Sequence, residues 1–555
     1  MDKIKIICEN TSSQVEVAMG TTLLELCSQL GVECNYPILA AYVNNRIKEL
    51  GYKIYTPVTI RFVDITHPVG YRVYQRTASF VAQKAVRELY PERAFHIRHS
   101  LGDGFYCEIE GENELSQSDC DKIAAAMRRI VDADYPITRA RELTSDVLKI
   151  YEQEGYTDKV ELLTTQPRLY SHICRMDNMV GYFYGALAPS SRYAQLFALA
   201  PYYNGFYFAL PQRSNPDNIQ LEVNRDKMFD VFHEYQEWVR IMGVPTVGSL
   251  NRKVLNGDAS ELIKIAEAFH ERKLSLIADA IHEANATRGA QFVMISGPSS
   301  SGKTTTAKRL GVQLQVLGLN PVLISLDDYF VERDKTPRDE NGEYDYEALE
   351  AIDLAQLNDH LRRLSAGESV DIPRYDFITG KRQWHENPLK LDERSVLIME
   401  GIHALNPNLT PSIPDEAKFK IYISCFTSVA MDNLSRIPTS DNRMLRRIMR
   451  DYYNRGNNAQ STLARWGSVR RGEERYIFPY QENADVMFNT SLFYEIAVLR
   501  PFVEPMLREV PDTVPEYAEA VRMLKFLENF TIIKPDEIPP TSILREFIGG
   551  SSFKY

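Results

Sequence analysis

One eight-residue string constrains the fold of this chain more than any other feature. Residues 297–304, Gly-Pro-Ser-Ser-Ser-Gly-Lys-Thr, match G-x-x-x-x-G-K-[ST], the phosphate-binding loop or P-loop. The string follows the apolar run Gln291–Ser296 and precedes a helix-forming stretch, Thr305–Val316. The motif needs strand, loop and helix in this order, because amides of the loop and of the helix start converge on phosphate oxygens. The string therefore predicts an α/β fold with a parallel sheet flanked by helices. A serine- and glycine-rich turn before a helix is the alternative.

The residue types in this loop suit a nucleoside triphosphate bound together with a metal ion. Gly297 and Gly302 permit backbone conformations and close approaches that a Cβ atom would obstruct. Lys303 places a positive charge near the β- and γ-phosphates, and the Thr304 hydroxyl is a ligand for Mg²⁺. ATP and Mg²⁺ are therefore the predicted cofactors. The residues predicted to bind the nucleotide are Gly297, Ser299, Ser300, Ser301, Gly302, Lys303, Thr304 and Thr305.

Two further apolar strands end in carboxylates. The strand Val396–Glu400 ends in a single acid, an arrangement that holds Mg²⁺ or its water shell in P-loop proteins. The strand 321–326 is followed by Asp327, and loops after parallel strands open onto the ligand crevice of such a sheet. A carboxylate there can accept the proton of an attacking hydroxyl. Glu400 is thus a predicted metal ligand beside Thr304, whereas loop acids that face solvent are the alternative for Asp327.

The segment 443–475 is basic within an acidic chain. It carries nine arginines and a net charge of +6, whereas the whole chain carries −11. An acidic chain disfavours a general nucleic-acid coat protein. Planar guanidinium groups suit the spread charge of a transferring phosphate. Arg446, Arg447 and Arg450 fall on one side of a predicted helix. A solvated helix with scattered ion pairs and an RNA-contacting stripe are the alternatives.

Four segments, in order along the chain, resemble the uridine kinase/phosphoribulokinase family. They are Ser325–Phe330, Tyr344–Tyr346, Pro373–Arg382 and Glu400–Ile402, and the resemblance covers about residues 285–500. It implies an ATP-dependent phosphotransferase that acts on a primary hydroxyl of a small molecule, with the 5′-hydroxyl of a nucleoside as the first expectation.

The family's pattern also implies a role for particular residues of this chain. Asp327 would be the general base and lie near Mg²⁺, with Lys303, Arg446 and Arg450 as the other catalytic residues. The arginine-rich segment would be the family's lid over the phosphate. The acceptor would be bound by Asp345, Tyr375, Arg382 and Arg447.

One departure leaves the identity of the acceptor open. The histidine with which the family contacts the pyrimidine falls on Gly380. A kinase of another sugar, sugar phosphate or vitamin alcohol is therefore an alternative. An ATP-binding, RNA-associated regulatory protein is a second one.

The front of the chain resembles part of a threonyl-tRNA synthetase. Residues 1–65 have the strand, strand, helix, hairpin and strand pattern of a β-grasp fold and resemble the TGS domain. Residues 66–225 resemble the α+β editing domain of the same synthetases. That family acts through a His-x-x-x-His pair and a Cys-x-x-x-His pair. Here the four positions are occupied by residues that neither bind metal nor act as a base, namely Arg76, Phe80, Phe183 and Leu187.

These patterns predict five segments. They are a TGS-like domain at 1–65, an editing-like domain at 66–225, a helical connector at 226–284, a P-loop kinase domain at 285–500, and a C-terminal helix with an extended tail at 501–555. No run approaches the ~20 apolar residues of a membrane helix. The seven scattered cysteines favour a reducing compartment, so we expect a cytoplasmic protein without membrane contact. RNA contact through the front half and self-association remain open.

Overall fold

The fold is that of a computed structural model, which describes residues 2–112, 114–223, 225–339, 342–377, 379–384 and 388–554. Its first unit is a five-stranded sheet with one helix, in the order β2-β1-β5-β3-β4. Strands β1 and β5 are parallel and the other pairs are antiparallel, which confirms the β-grasp prediction. The elements are β1 Lys3–Cys8, β2 Ser13–Ala18, α1 Leu23–Gln29, β3 Ala40–Val43, β4 Arg46–Lys48 and β5 Val58–Val63.

The second unit combines helices with two antiparallel sheets, ordered β10-β9-β8 and β11-β12-β7-β6. Its long helix α2 packs its buried face into the same core as strands β6 and β7. The elements are α2 Pro68–Leu89, β6 Phe95–Leu101, β7 Gly104–Ile109, α3 Gln117–Asp132, β8 Ile137–Leu143, α4 Thr144–Gln153, α5 Thr157–Thr164, β9 Tyr170–Met176, β10 Met179–Gly181, β11 Ala198–Tyr202 and β12 Gly205–Ala209.

The positions that correspond to the synthetase ligands are filled by packed side chains. The rings of Phe80 and Phe183 lie 5.3 Å apart, and Leu187 is buried with them. Arg76 donates a hydrogen bond to the carbonyl of Ala186 at 2.6 Å, and burial lowers its pKa to about 10. Among the described residues, no group of three or more His, Cys, Asp or Glu side chains is placed to hold a metal ion. These four positions are therefore filled by three packed apolar side chains and one hydrogen-bonded arginine.

Three helices follow: α6 Asp226–Ile241, α7 Val247–Leu255 and α8 Ala259–Arg288. They do not act as a free connector. The core that contains Leu262 of α8 also contains Tyr151 of α4, Leu445 and Val498. One core thus joins the front half to the last third of the chain, and the division into five segments stays a prediction.

The next unit is a five-stranded parallel sheet in the order β14-β17-β13-β18-β19. Strand β13 lies in its centre with all five residues buried, as expected for a strand covered by helices on both faces. The elements are β13 Phe292–Ser296, α9 Lys303–Val316, β14 Asn320–Ser325, α10 Leu354–Ser365, β15 Pro373–Asp376, β16 Lys381–Trp384, β17 Ser395–Glu400, β18 Lys418–Ser424, α11 Thr439–Arg455, α12 Ala459–Tyr476, β19 Val486–Asn489 and α13 Glu495–Arg508. The parallel sheet flanked by helices is confirmed.

The C-terminal part contains α14 Tyr517–Leu527 and α15 Arg545–Ile548. The segment after α14 is mostly irregular, and its side chains Ile533, Ile538, Leu544 and Phe547 are buried in the shared core. No helix in the described part of the chain is long and apolar enough to span a membrane.

A charged network ties the front half to the C-terminal helices. Glu519 of α14 accepts hydrogen bonds from Arg72 of α2 at 3.0 Å and from Arg522 at 2.6 Å. Arg522 also donates to Asp441 at the start of α11 at 2.7 Å. Burial raises the pKa of Glu519, but the two guanidinium groups outweigh it and hold the pKa at about 2.

Replacing Glu519 by glutamine is expected to lower the free energy of unfolding by about 1–3 kcal/mol at pH 7, because the buried guanidinium of Arg522 and the partly exposed guanidinium of Arg72 lose a charged partner. The folded-state pKa lies below the usual 4.5, so this stability is present above pH 4.5 and is lost as the pH falls towards 2. Denaturant titrations of both chains at several pH values should therefore converge in acid. A constant difference down to pH 2 would contradict the ionic origin.

Candidate active site

The P-loop joins the end of β13 to α9 in a conformation that requires glycine. A Cβ atom on Gly297 would lie 2.1 Å from the carbonyl oxygen of Ile423 on the neighbouring strand β18. Gly302 caps α9 with a φ of 85°, in the left-handed region. Lys303 Nζ donates to the carbonyls of Gly297 at 3.0 Å and Pro298 at 3.2 Å. The loop is therefore folded back over its own lysine, as the sequence predicts for a phosphate cradle.

Two serine hydroxyls of the loop have no hydrogen-bond partner in the part of the chain that the structure describes. Ser300 and Ser301 are 2% and 0% exposed, and their Oγ atoms make no hydrogen bond to any described residue. A buried hydroxyl without a partner costs about 1–3 kcal/mol. Phosphate oxygens of a nucleotide would supply acceptors at this place, so these residues fit the predicted ligand.

Glu400 lies next to hydroxyl groups of the kind expected at a Mg²⁺ site. Its Oε1 accepts hydrogen bonds from Thr304 Oγ1 and Ser325 Oγ, both at 3.0 Å. Burial, followed by the nearby charge of Asp327, raises the pKa of Glu400 to about 7. Carboxylate and hydroxyl oxygens are donors that Mg²⁺ uses, and it commonly keeps waters and phosphate oxygens as its other ligands. The residues present fit Mg²⁺ bound together with a nucleotide.

The two predicted acceptor-side aspartates lie in the chain between β14 and α10. Asp327 is in the 3₁₀ turn Leu326–Tyr329 that follows β14, close enough to act on the pKa of Glu400 and Lys303. Asp345 accepts a hydrogen bond from the backbone N–H of Glu347 at 3.1 Å, and its charge contributes to the raised pKa of Tyr476 after burial. Asp327 is therefore the carboxylate nearer to the P-loop lysine.

Three arginines of helix α11 donate hydrogen bonds to the P-loop. Arg447 and Arg450 donate to Ser299 Oγ at 2.7 and 3.2 Å, and Arg443 donates to the Ser299 carbonyl at 2.9 Å. Arg443 is also paired with the buried Glu473 of α12. Three guanidinium groups are thus held against the loop that is predicted to bind phosphate.

Arg446 does not join this group. It is 0% exposed and pairs with Glu495 of α13, with 2.5 Å between Nη2 and Oε2. It also donates to the carbonyl of Thr490 at 2.9 Å. Its guanidinium donates hydrogen bonds to Thr490 and Glu495 and not to Ser299, so the hydrogen bonds of the described residues do not support its predicted catalytic role.

Two of the predicted acceptor residues, Tyr375 and Arg382, make different kinds of contact. Tyr375 is buried against Phe330, with the ring centroids 5.7 Å apart. Arg382 donates to the carbonyls of Tyr329 and Phe330 at 2.9 and 2.7 Å and to Asp353 at 3.1 Å. Its donors therefore hold the turn after Asp327 in place.

Gly380 marks a difference from the family's base-reading pocket. Its φ is 72°, and a Cβ atom there would lie 2.7 Å from Arg333 Nε. Arg333 donates to the carbonyl of Phe377 at 2.7 Å, so its side chain fills the space beside Gly380. Ile378, in the same motif, lies outside the described residues. A histidine at 380 would require Arg333 to move.

The C-terminal segment 531–554 lies against the same loop. Ile543 Cδ1 is 2.6 Å from the position of a Cβ on Gly302. Thr305 Oγ1 donates to the carboxylate of Glu546, and Lys308 Nζ donates to the carbonyl of Lys554. One of the predicted nucleotide-binding residues is therefore covered by the end of the chain.

Comparison with known proteins matches two parts of the chain to two different groups of enzymes. Residues 292–496 match the family described as the Phosphoribulokinase / Uridine kinase family. The resemblance of the C-terminal region to these kinases is confirmed. A uridine kinase of Halobacterium salinarum is 27% identical over 194 residues, which cover 35% of this chain and 77% of that protein. A solved structure of a possible uridine kinase from Bacillus stearothermophilus is 22% identical, covers 36% of this chain and 88% of its own, and has a TM-score of 0.24.

The synthetase resemblance of the N-terminal part is confirmed as well. A threonine–tRNA ligase of Clostridium kluyveri is 23% identical over 240 residues, which are 43% of this chain. The chain spans about a third of the length of that ligase, 37%. The likeness therefore concerns one part of a larger enzyme.

Two side chains of the kinase region were missed by the sequence reasoning. Arg443 belongs to the arginine-rich segment but was not singled out, although it contacts Ser299 as its neighbours do. Glu347 lies two residues after Asp345, and one of its oxygens, Oε2, is buried without a hydrogen-bond partner among the described residues. The sequence signal that could have identified Glu347 is its position two residues after the predicted acceptor ligand Asp345.

Proposed function

We propose that this chain is an ATP- and Mg²⁺-dependent kinase that transfers the γ-phosphoryl group to a primary hydroxyl of a small molecule, with the 5′-hydroxyl of a nucleoside as the first candidate. One observation carries the proposal. Lys303, Glu400 and Asp327 converge at the carboxyl edge of the parallel sheet beneath arginines that contact the P-loop. A phosphate site, a metal site and a base in one place are the parts of phosphoryl transfer.

The residues would divide the work as follows. When bound, MgATP supplies the transferable phosphoryl group, held by the P-loop with Thr304 and Glu400 on the metal side. Asp327 accepts the proton of the acceptor hydroxyl, while Lys303, Arg447 and Arg450 offset the charge on the phosphoryl oxygens. Arg443 holds the Ser299 carbonyl and so fixes the loop under the arginines.

Asp345 and Tyr375 would bind the acceptor, and Arg382 would act by bracing the turn that carries Asp327. Because Gly380 replaces the family's base-contacting histidine, a second candidate for the activity is a kinase of another sugar, sugar phosphate or vitamin alcohol. The side chain of Arg333 lies beside Gly380, the position at which the family has its pyrimidine-contacting histidine.

The decisive test is ADP release by the full-length chain with MgATP and a panel of nucleosides, free sugars, sugar phosphates and vitamin alcohols. We expect one class to raise ADP release well above the rate without acceptor, and the Lys303→Ala variant to abolish the increase. The fragment 285–555 is unsuitable, because its surface would include the core shared with α4 and α8. ATP binding without a phosphorylated product from any acceptor would overturn the kinase proposal.

The synthetase-like front half supports RNA association as a second candidate function. The arginine-rich segment gives it little support, since Arg443 and Arg446 are 1% and 0% exposed and are paired with buried glutamates. Saturable tRNA binding that leaves ADP release unchanged would assign RNA contact to the front half alone. We also propose a cytoplasmic location, which the seven free cysteines support.

A further inference from the structure

The C-terminal segment 531–554 covers the start of helix α9, where the P-loop ends. Thr305 Oγ1, in the first turn of that helix, donates a hydrogen bond to the carboxylate of Glu546 in α15. Thr305 is 0% exposed, so its hydroxyl does not face solvent. A hydroxyl that is predicted to bind the nucleotide is therefore bonded to a carboxylate of the same chain.

A second donor of α9 is used by the same segment. Lys308 follows Thr305 by three residues, so the two side chains lie on the same side of the helix. Lys308 Nζ donates to the backbone carbonyl of Lys554. The segment thus takes two neighbouring donors at the end of the helix where the P-loop presents its groups to phosphate.

Buried packing fixes Glu546 at this position. A Cβ atom on Gly302 would lie 2.6 Å from Ile543 Cδ1, so the isoleucine packs directly on the backbone of the P-loop. On the other side of Glu546, the Phe547 ring has its centre 5.0 Å from the guanidinium of Arg446. Ile543 and Phe547 are each 1% exposed. The carboxylate is therefore held against α9 by its chain neighbours.

The segment is anchored before this point. The backbone N–H of Ile533 donates to the carbonyl of Ala497 in α13 at 3.3 Å. Ser542 is 0% exposed, and its hydroxyl donates to Glu267 of α8. Residues 531–542 therefore belong to the shared core.

The part after α15 is held differently. Gly549 and Gly550 have φ values of 82° and 73°, in the left-handed region that favours glycine, and they turn the chain back towards the segment. The backbone N–H of Ser552 then donates to the carbonyl of Pro540 at 2.9 Å. None of the residues 549–554 is buried. This end can leave α9 without exposing a buried side chain of its own.

A nucleotide phosphate and the Glu546 carboxylate exclude each other at Thr305. A hydroxyl has one proton to donate, and two negative groups at hydrogen-bond distance repel each other. Resting on the proposed nucleotide site, we propose that residues 546–554 are an autoinhibitory strap. Nucleotide binding breaks the Thr305–Glu546 hydrogen bond and releases residues 549–554 from α9, while residues 531–542 stay in the core. The closed strap lowers the apparent affinity for nucleotide, because only the open form binds.

The test measures MgATP binding to the full-length chain by calorimetry, together with amide hydrogen exchange. Glu546→Gln keeps the size of the side chain and removes its charge, so it is expected to lower the Kd for MgATP three- to tenfold. In the unchanged chain, MgATP should speed exchange at amides 549–554 and leave exchange at 531–542 as it was.

Glu537→Gln is the matched control in the same segment, because Glu537 accepts from Ser260 of α8 and not from α9. It should leave the Kd unchanged. Unchanged or weaker binding by Glu546→Gln, or unchanged or slower exchange at 549–554, would identify the segment as a fixed wall and overturn the strap. Binding by Glu546→Gln alone would support the strap, whereas failure of both chains to bind MgATP would overturn the nucleotide site itself.

Discussion

Replacing Asp327 by asparagine is expected to lower kcat by about three orders of magnitude, within the range that a positioned general base contributes. Asparagine keeps the size of the side chain but cannot take the proton of the acceptor hydroxyl. MgATP binding should persist, because the P-loop contacts of Lys303 and Thr304 do not involve Asp327. Single-turnover ADP formation and calorimetric binding of MgATP check the two halves of this prediction.

Asp328→Asn is the matched control on the adjacent residue. Asp328 Oδ1 accepts from the backbone N–H of Tyr375 at 3.2 Å and so supports the acceptor wall. We expect its replacement to act on the acceptor KM and to leave kcat within an order of magnitude. An Asp327→Asn enzyme with unchanged kcat would remove Asp327 from the role of base.

The phosphate end of the site could be predicted from the sequence because its determinants are local. The P-loop fixes its own strand, turn and helix within about 25 residues. Glu400 ends strand β17 and Asp327 follows strand β14, and parallel strands in one sheet bring their carboxyl ends to one edge. The topology therefore places these acids near Lys303 without any knowledge of side-chain packing.

The arginines show where such reasoning stops. Residues 443, 446, 447 and 450 lie within one broad face of α11, so helical periodicity does not separate them. What separates them is Glu495, supplied by α13 nearly fifty residues later, which pairs with Arg446. An ion-pair partner that tertiary packing brings from a distant helix cannot be recognised in the local sequence of α11.

The burial of the C-terminal segment does not follow from the local sequence, for a related reason. Its prolines and glycines predict an irregular chain, and the backbone between α14 and α15 is indeed mostly irregular. Irregular backbone can still be buried when its side chains pack against another part of the fold. Here that part of the fold is formed by Gly302 and by Arg446, whose guanidinium lies 5.0 Å from the centre of the Phe547 ring.

Replacing Arg446 by methionine is expected to lower the free energy of unfolding by about 3–5 kcal/mol, because Glu495 is left buried without its counter-charge. Both side chains are almost fully buried, at 0% and 1% exposure. Urea or thermal unfolding of the full-length chain measures the loss. Adding Glu495→Gln should recover part of it, since the second change removes the uncompensated charge.

Arg450→Met separates stability from catalysis on the same helix. Arg450 is partly exposed, with 18% of its side chain accessible, and it contacts Ser299 of the P-loop. Its replacement should lower kcat and leave the unfolding midpoint nearly unchanged. Arg446→Met should do the reverse: it should lower the unfolding midpoint and, at temperatures where the variant is folded, leave kcat nearly unchanged. An Arg446→Met chain of normal stability with kcat reduced by decades would return Arg446 to the catalytic group. Because both arginines lie one helical turn apart on α11, this comparison tests whether burial or sequence position decides their function.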